Sequence, residues 1–259
     1  MTMGNQPADQ LTVELERIAL AAGEVILRIY ESDFAHQHKS DKSPVTEADV
    51  AAEAVIAAEL HKLTPEIPLI AEEAAAVGGL PAEAAARFWL VDPLDGTKEF
   101  IARNGEFTVN IALIEGGSPK LGIVHVPVLG QTYGGDGKTA WRRVNKGAYE
   151  EIRTRAVPTD GAVMTISRSH AAKELVKAEE MGVKIADTLV AGSSLKFCRL
   201  AEGVADIYPR FGPTMEWDTA AGHAVLVSAG GSVRQLDGRV LPYGKPGFLN
   251  PHFIARGRD

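Results

Sequence analysis

A single cysteine, Cys198, stands in the 259 residues, so no disulfide can form within the chain and a reducing compartment is its natural setting. No uninterrupted apolar run approaches the roughly 20 residues that a membrane helix requires, and no basic segment leads into an apolar one near the start. Repeats, low-complexity tracts and long linkers are missing as well. Positive charge is not in excess either. The formal net charge is −7 and the isoelectric point about 5.6, which argues against a nonspecific nucleic-acid binder or a polybasic membrane ligand. These absences lead us to expect a cytosolic protein without nucleic acid or an obligatory protein partner; peripheral association with the inner face of the cell membrane stays open. What is present, 45% hydrophobic and 24% charged residues, suffices for one large core or two closely packed lobes.

The apolar spacing of Leu11, Leu15, Ile18, Ala22, Val25, Ile26 and Ile29 predicts an amphipathic helix over 9–30. Residues 31–45 read as a polar loop, and Thr46 as the N-cap of a second helix reaching about residue 62. A short strand over 67–71, a short helix over 81–87 and a strand over 88–92 follow. From Thr108 the period changes to two, giving strands at 108–114, 121–127, 131–134 and 139–144 that suit an antiparallel sheet. Beyond residue 160, strands at 163–167, 184–190, 205–209 and 232–236 alternate with helices at 171–181, 193–202 and 217–229. The order points to an α+β first lobe, 1–150, and an α/β second lobe, 151–259, with a soft boundary.

The most informative stretch is Trp89-Leu90-Val91-Asp92-Pro93-Leu94-Asp95-Gly96-Thr97. An apolar strand, buried on both faces, delivers two carboxylates to a turn at the edge of a sheet. If the peptides after Asp95 open a helix, their N–H groups form an anion site beside those acids. Asp49, Glu72 with Glu73, and Asp218 also fall at strand ends or helix starts. Carboxylates gathered from separate elements suit hard cations such as Mg²⁺, and two close ions suit phosphoryl transfer. Each acid has a plainer reading on the residues alone. Asp-Pro-x-Asp-Gly can be only a turn, Asp49 and Asp218 can be first-turn helix acids, and Glu72-Glu73 can be a solvated pair. Cys198 reads as a small apolar helix residue.

Three motifs in order carry a resemblance: Glu72-Glu73 after a strand, Asp92-Pro93-Leu94-Asp95-Gly96-Thr97, and Trp217-Asp218-Thr219-Ala220-Ala221-Gly222. Together they resemble the inositol monophosphatase superfamily of metal-dependent, lithium-sensitive phosphatases. Ser43 to Asp49, Asp95 to Ile101, Asn104 to Asn110, Ser167-Arg168-Ser169-His170, Ser193 to Phe197 and Tyr208-Pro209-Arg210 are similar to its bacterial 3′(2′),5′-bisphosphate nucleotidase subgroup of the CysQ type. The likeness covers nearly the whole chain; Met215-Glu216 before Trp217 is a local departure.

The resemblance implies a layered α-β-α-β-α sandwich and a Mg²⁺-dependent hydrolase with two or three ions. It assigns Glu72, Asp92 and the Leu94 carbonyl to one ion, and Asp92, Asp95 and Asp218 to a second. Asp49 and Thr97, with Glu72, would serve the attacking water, while Gly96 and Thr97 would face the scissile phosphate. Asp218 would also point into the anion site of the scissile phosphate, while His170, Ser193, Lys196 and Arg210 would contact the nucleotide and the phosphate that is retained. On the residues alone, Lys196 follows Ser193 by one helical turn and Arg210 offers a planar fork suited to phosphate; ordinary surface roles fit as well. The implied substrate is adenosine 3′,5′-bisphosphate, with 3′-phosphoadenylyl sulfate as a second. An inositol or sugar phosphatase of the same superfamily is the alternative, and a nucleotide-binding protein without catalysis a third reading that the intact acids oppose.

Overall fold

The computed structural model describes residues 10–32, 36–38, 44–167, 175–176 and 182–258. Helix α1 (Gln10–Tyr30) buries Leu15, Ile18, Ala19, Ala22 and Ile26 along one stripe, as the three-and-four spacing demands. Strands β1 (His36–His38) and β2 (Pro44–Thr46) pair antiparallel where only loop was expected. Helix α2 (Glu47–Leu63) then starts directly after Thr46.

The first sheet contains β3 (Leu69–Ala71), β4 (Arg87–Asp95), β5 (Thr108–Glu115), β6 (Ser118–Val126), β7 (Gln131–Gly135), β8 (Ala140–Val144) and β9 (Tyr149–Ile152), in that spatial order. Its pairs are antiparallel except β3 with β4, which run parallel. Side chains alternate between faces. Trp89, Val91, Val109, Ile111, Leu121 and Ile123 pack with α1 and α2, whereas Phe88, Leu90, Ala112, Ile114, Val124 and Val126 face the other way. Against that second face lie α5 (Leu195–Ala201) and α6 (Ala220–Ser228). Gly122 of β6 permits the close approach of α6, since a Cβ there would meet the Ala221 carbonyl at 2.5 Å.

The second sheet is mixed, in the order β11 (Ile185–Val190), β10 (Ala162–Ile166), β12 (Ile207–Arg210), β14 (Phe253–Arg256), β13 (Ser232–Gln235). Its first three strands are parallel and its last two antiparallel to their neighbours. Leu175 packs on its outer cluster, Ala162, Met164, Ile166, Ile207 and Ile254. The rest of the helix expected over 171–181 lies outside the described residues. The layers are thus helices, seven strands, helices and five strands, with Leu175 on the far side. No helix among the described residues is long and apolar enough to cross a membrane.

Four expectations need correction. Residues 81–87 form no helix; Pro81, Ala82, Glu83, Ala85 and Ala86 are exposed, and so short a helix with no buried face does not hold in water. β9 and β14 were not foreseen; neither carries an alternation of its own, and each is recruited by pairing, β9 with β8 and β14 with β12 and β13. Strand β4 runs on to Asp95, three residues beyond its expected end. The helix expected from residue 217 begins at Ala220, leaving Asp218 in the preceding turn.

Candidate active site

β3 and β4 are parallel neighbours, so their C-terminal ends reach one edge of the sheet together. Glu72 opens α3 (Glu72–Gly78) immediately after β3, and Asp92 occupies β4 on the same face as Phe88 and Leu90. Between Asp92, paired with Asn110, and Asp95, paired with Thr108, the register slips. Pro93 and Leu94 take up the slack, and Leu94 N–H donates to Asp92 Oδ1 at 3.1 Å. Gly96 then adopts φ 99°, ψ 46°, and Thr97 opens the five-residue helix α4 (Thr97–Ile101). Only glycine suits position 96: beyond its dihedral, an added Cβ would lie 2.2 Å from Ser193 Oγ.

Glu72, Asp92 and Asp218 bring one carboxylate oxygen each within 4.8 Å of one another. Burial pushes the Asp92 carboxyl well above the usual range, and the charges of Glu72, Asp95, Asp218 and Asp49 add to it. Burial does the same to Asp218, reinforced by Asp95 and Glu72 and opposed by the Met215 N–H and Arg210. Asp95 is raised to about 6 by burial, against the pull of Lys196. Asp49 is buried in the first turn of α2. So many desolvated acids repel unless a cation sits among them. The converging donors are oxygens only, the chemistry that a hard divalent ion takes, so the site fits a metal-dependent enzyme.

The inositol monophosphatase family model matches residues 8–256. The chain belongs to the inositol monophosphatase family. Within the family, it is 48% identical over 242 residues to a protein of Salmonella typhimurium strain LT2 named 3′(2′),5′-bisphosphate nucleotidase CysQ, covering 92% of this chain and 96% of that one. A protein of the same name from Escherichia coli K12 is 46% identical over 241 residues, with the same coverage. Among solved structures, CysQ from Bacteroides thetaiotaomicron, described as a bacterial member of the family, superposes with a TM-score of 0.79 at 37% identity, over 98% of this chain and 100% of that chain. The layered fold is that of the family.

The other residues singled out from the sequence fall in three groups. Asp95, Gly96 and Thr97 adjoin the acidic group, and the Asp95 Oδ2 accepts Ser194 N–H at 2.7 Å. From the second half, Lys196 is buried at 5% exposure, its ammonium 5.3 Å from the Tyr208 ring centre and 3.3 Å from the Ala191 carbonyl. Arg210 ends β12 and lies close enough to lower Asp218; it donates to Pro213 O at 3.0 Å. Ser193 (φ 49°) turns its hydroxyl to the carbonyls of Asp95 at 2.8 Å and Glu106 at 3.0 Å, so that hydroxyl ties the halves of the chain together. Tyr208 packs edge-on against Phe197 and Phe253. His170 lies outside the described residues.

Sequence reasoning missed the supports. Glu53 accepts Glu73 N–H at 2.7 Å and Ala74 N–H at 2.8 Å, holding the start of α3 and with it Glu72; its position four residues after Asp49, on one helix face, was the available signal. Asn110 donates to Ser194 Oγ at 3.0 Å, and Ser194 Oγ donates to the Asp218 carbonyl at 2.8 Å. Ser194 lies in one of the resembling segments, but nothing local marks its role, because its partners come from other parts of the chain.

Proposed function

We propose that this chain is a magnesium-dependent 3′(2′),5′-bisphosphate nucleotidase that removes the 3′-phosphate of adenosine 3′,5′-bisphosphate, releasing AMP and phosphate. The same site would act on 3′-phosphoadenylyl sulfate. The observation that carries this reading is the similarity, 46–48% over 92% of the chain, to nucleotidases so named, in a protein whose Glu72, Asp92 and Asp218 converge.

Glu72, Asp92 and the Leu94 carbonyl are assigned to one magnesium ion, and Asp92, Asp95 and Asp218 to a second, with a weaker third admitted. Bound magnesium supplies the positive charge that offsets the phosphate and makes water more acidic. The chain does the rest. Asp49, helped by Glu72, accepts a proton from the attacking water on its carboxylate, and Thr97 Oγ1 orients that water. The peptide N–H groups of Gly96 and Thr97 face the scissile phosphate, where fixed donors help most as negative charge develops. Lys196 and Arg210 bring cations toward the retained phosphate, whose fork-like match to a guanidinium favours arginine. His170 is assigned to the nucleotide as well, and Ser193 acts by shaping the loop before Lys196.

A metal-bearing lobe over 1–150 and a substrate-recognising lobe over 151–259 belong to the same proposal, as does a cytoplasmic location. The deciding experiment is a phosphate-release panel. Adenosine 3′,5′-bisphosphate is expected to be the preferred substrate, EDTA to abolish turnover and lithium to inhibit it. Preference for an inositol phosphate would overturn the substrate, and turnover that survives EDTA would overturn the metal.

A further inference from the structure

Asp218 is the one carboxylate of the converging group that no helix or strand carries. Since α6 begins at Ala220, whatever fixes the turn 215–219 fixes this carboxylate. Inside the turn, Met215 N–H donates to Asp218 Oδ2 at 3.0 Å, and the N–H groups of Thr219 and Ala220 donate to the Glu216 carbonyl at 3.2 and 3.0 Å. Those bonds close the turn upon itself without placing it in the molecule.

The Ser194 hydroxyl ties the turn to α5 through the Asp218 carbonyl at 2.8 Å, and the rest of its placement comes from Glu216, one of the two residues at which the sequence departs from expectation. Its side chain is wholly buried. One carboxylate oxygen accepts Gly244 N–H at 2.7 Å; the other accepts Lys245 N–H at 2.9 Å and lies 2.6 Å from the Lys245 ammonium. Glu216 N–H in turn donates to the Phe248 carbonyl at 2.8 Å. Asn250 completes the grip, donating to the Met215 carbonyl at 2.8 Å and to Thr219 Oγ1 at 3.0 Å, while the Lys245 ammonium reaches Asn250 Oδ1 at 3.1 Å. An apolar side chain at 216 could fill the space, but it would leave the donors at 244 and 245 unpaired and would set no direction. Directional placement is what a buried ion pair can add where packing alone cannot.

We propose that Glu216 and Lys245 form a positioning pair for Asp218. The pair holds the turn so that Asp218 meets Glu72 and Asp92, and its loss weakens divalent-cation binding more than it weakens the fold. This inference rests on reading those three carboxylates as a cation site. Glu216 acts only through Asp218.

In Glu216→Gln an amide can no longer accept from both backbone N–H groups and the ammonium. The full chain carrying it is expected to need about tenfold more magnesium for half-saturation, the loss typical of removing a partner that orients a ligand. Two readouts should agree: the magnesium dependence of phosphate release, and the magnesium-induced rise in the unfolding midpoint. At saturating magnesium, the KM for nucleotide should match wild type. Lys245→Gln, which keeps both backbone contacts of Glu216, should shift the magnesium requirement in the same direction but by less than about tenfold, and decides the matter if Glu216→Gln does not fold. Val233→Ala, in β13, serves as a purely destabilising control. Unchanged magnesium half-saturation in the variants at 216 and 245, or an equal shift in Val233→Ala, would overturn the positioning pair. A wild-type chain whose midpoint ignores magnesium would overturn the cation site itself and the pair with it.

Discussion

Asp92 concentrates the conflict between stability and function. It is buried at 1% exposure, and burial together with four neighbouring acids holds its carboxyl well above the usual range. A folded carboxyl that binds its proton more tightly than the unfolded one makes the metal-free chain lose stability as pH rises through that range. Asp92→Asn should therefore raise the metal-free unfolding free energy, on the order of 1 kcal/mol, while phosphate release falls roughly a hundredfold or more. Thermal melts in EDTA and turnover in magnesium check the two halves separately; an Asp92→Asn chain less stable than wild type would refute the electrostatic account. Gly96→Ala tests the neighbouring turn. With φ 99° and a Cβ 2.2 Å from Ser193 Oγ, it should lose about 1–2 kcal/mol in denaturant titrations and displace the Ser193 tie.

At the scale of elements, the site is assembled by helix starts and strand ends that hold one another. Glu53 joins α2 to α3 through two backbone N–H groups, and burial raises its carboxyl while those N–H groups oppose the shift. Glu53→Ala should lose about 1–2 kcal/mol, as loss of a helix-capping acceptor does, and should raise the magnesium requirement because Glu72 loses its fixed start. Equal magnesium dependence in variant and wild type would confine Glu53 to stability. The same elements measure how far the sequence could be read. α1 follows from periodicity because it buries one continuous stripe, and β5 and β6 stand out because both of their faces are buried and their apolar runs are nearly unbroken. The strand β9, with Glu150 and Glu151 at its centre, carries no such signal and is recruited by pairing with β8. Asp218 looked like a helix acid, yet α6 starts two residues later, because Glu216 and Asn250 pull the chain into a turn first.

At the scale of the whole molecule, two buried histidines act against the buried acids, and their contribution to stability is the part lost in acid. Burial lowers His125, between α1 and β7, to about 4 and His223, on α6, to about 3, against roughly 6.5 when unfolded. Below pH 6.5 the unfolded chain binds the histidine protons that the folded chain refuses, so the contribution of these two residues is complete above that pH and declines as pH falls toward 4. At pH 5 each histidine should cost about 2 kcal/mol. Urea titrations at pH 7.5 and 5 should show a slope that His125→Gln reduces by about that amount; an unaltered slope would mean that His125 takes up its proton as readily in the folded chain as in the unfolded one.

By itself the sequence determined the family, the sheet strands with a clear alternation, and which acids were candidates, because motif spacing and burial period are properties of the chain read locally. Only the tertiary structure decided that Glu72, Asp92 and Asp218 lie within 4.8 Å while Asp95 turns an oxygen to Ser194. It alone also revealed Glu53, Ser194 and Glu216 as the residues that hold the acids in place. Their partners lie 20 or more positions away in the chain, and contacts of that kind come into being only when the layers close.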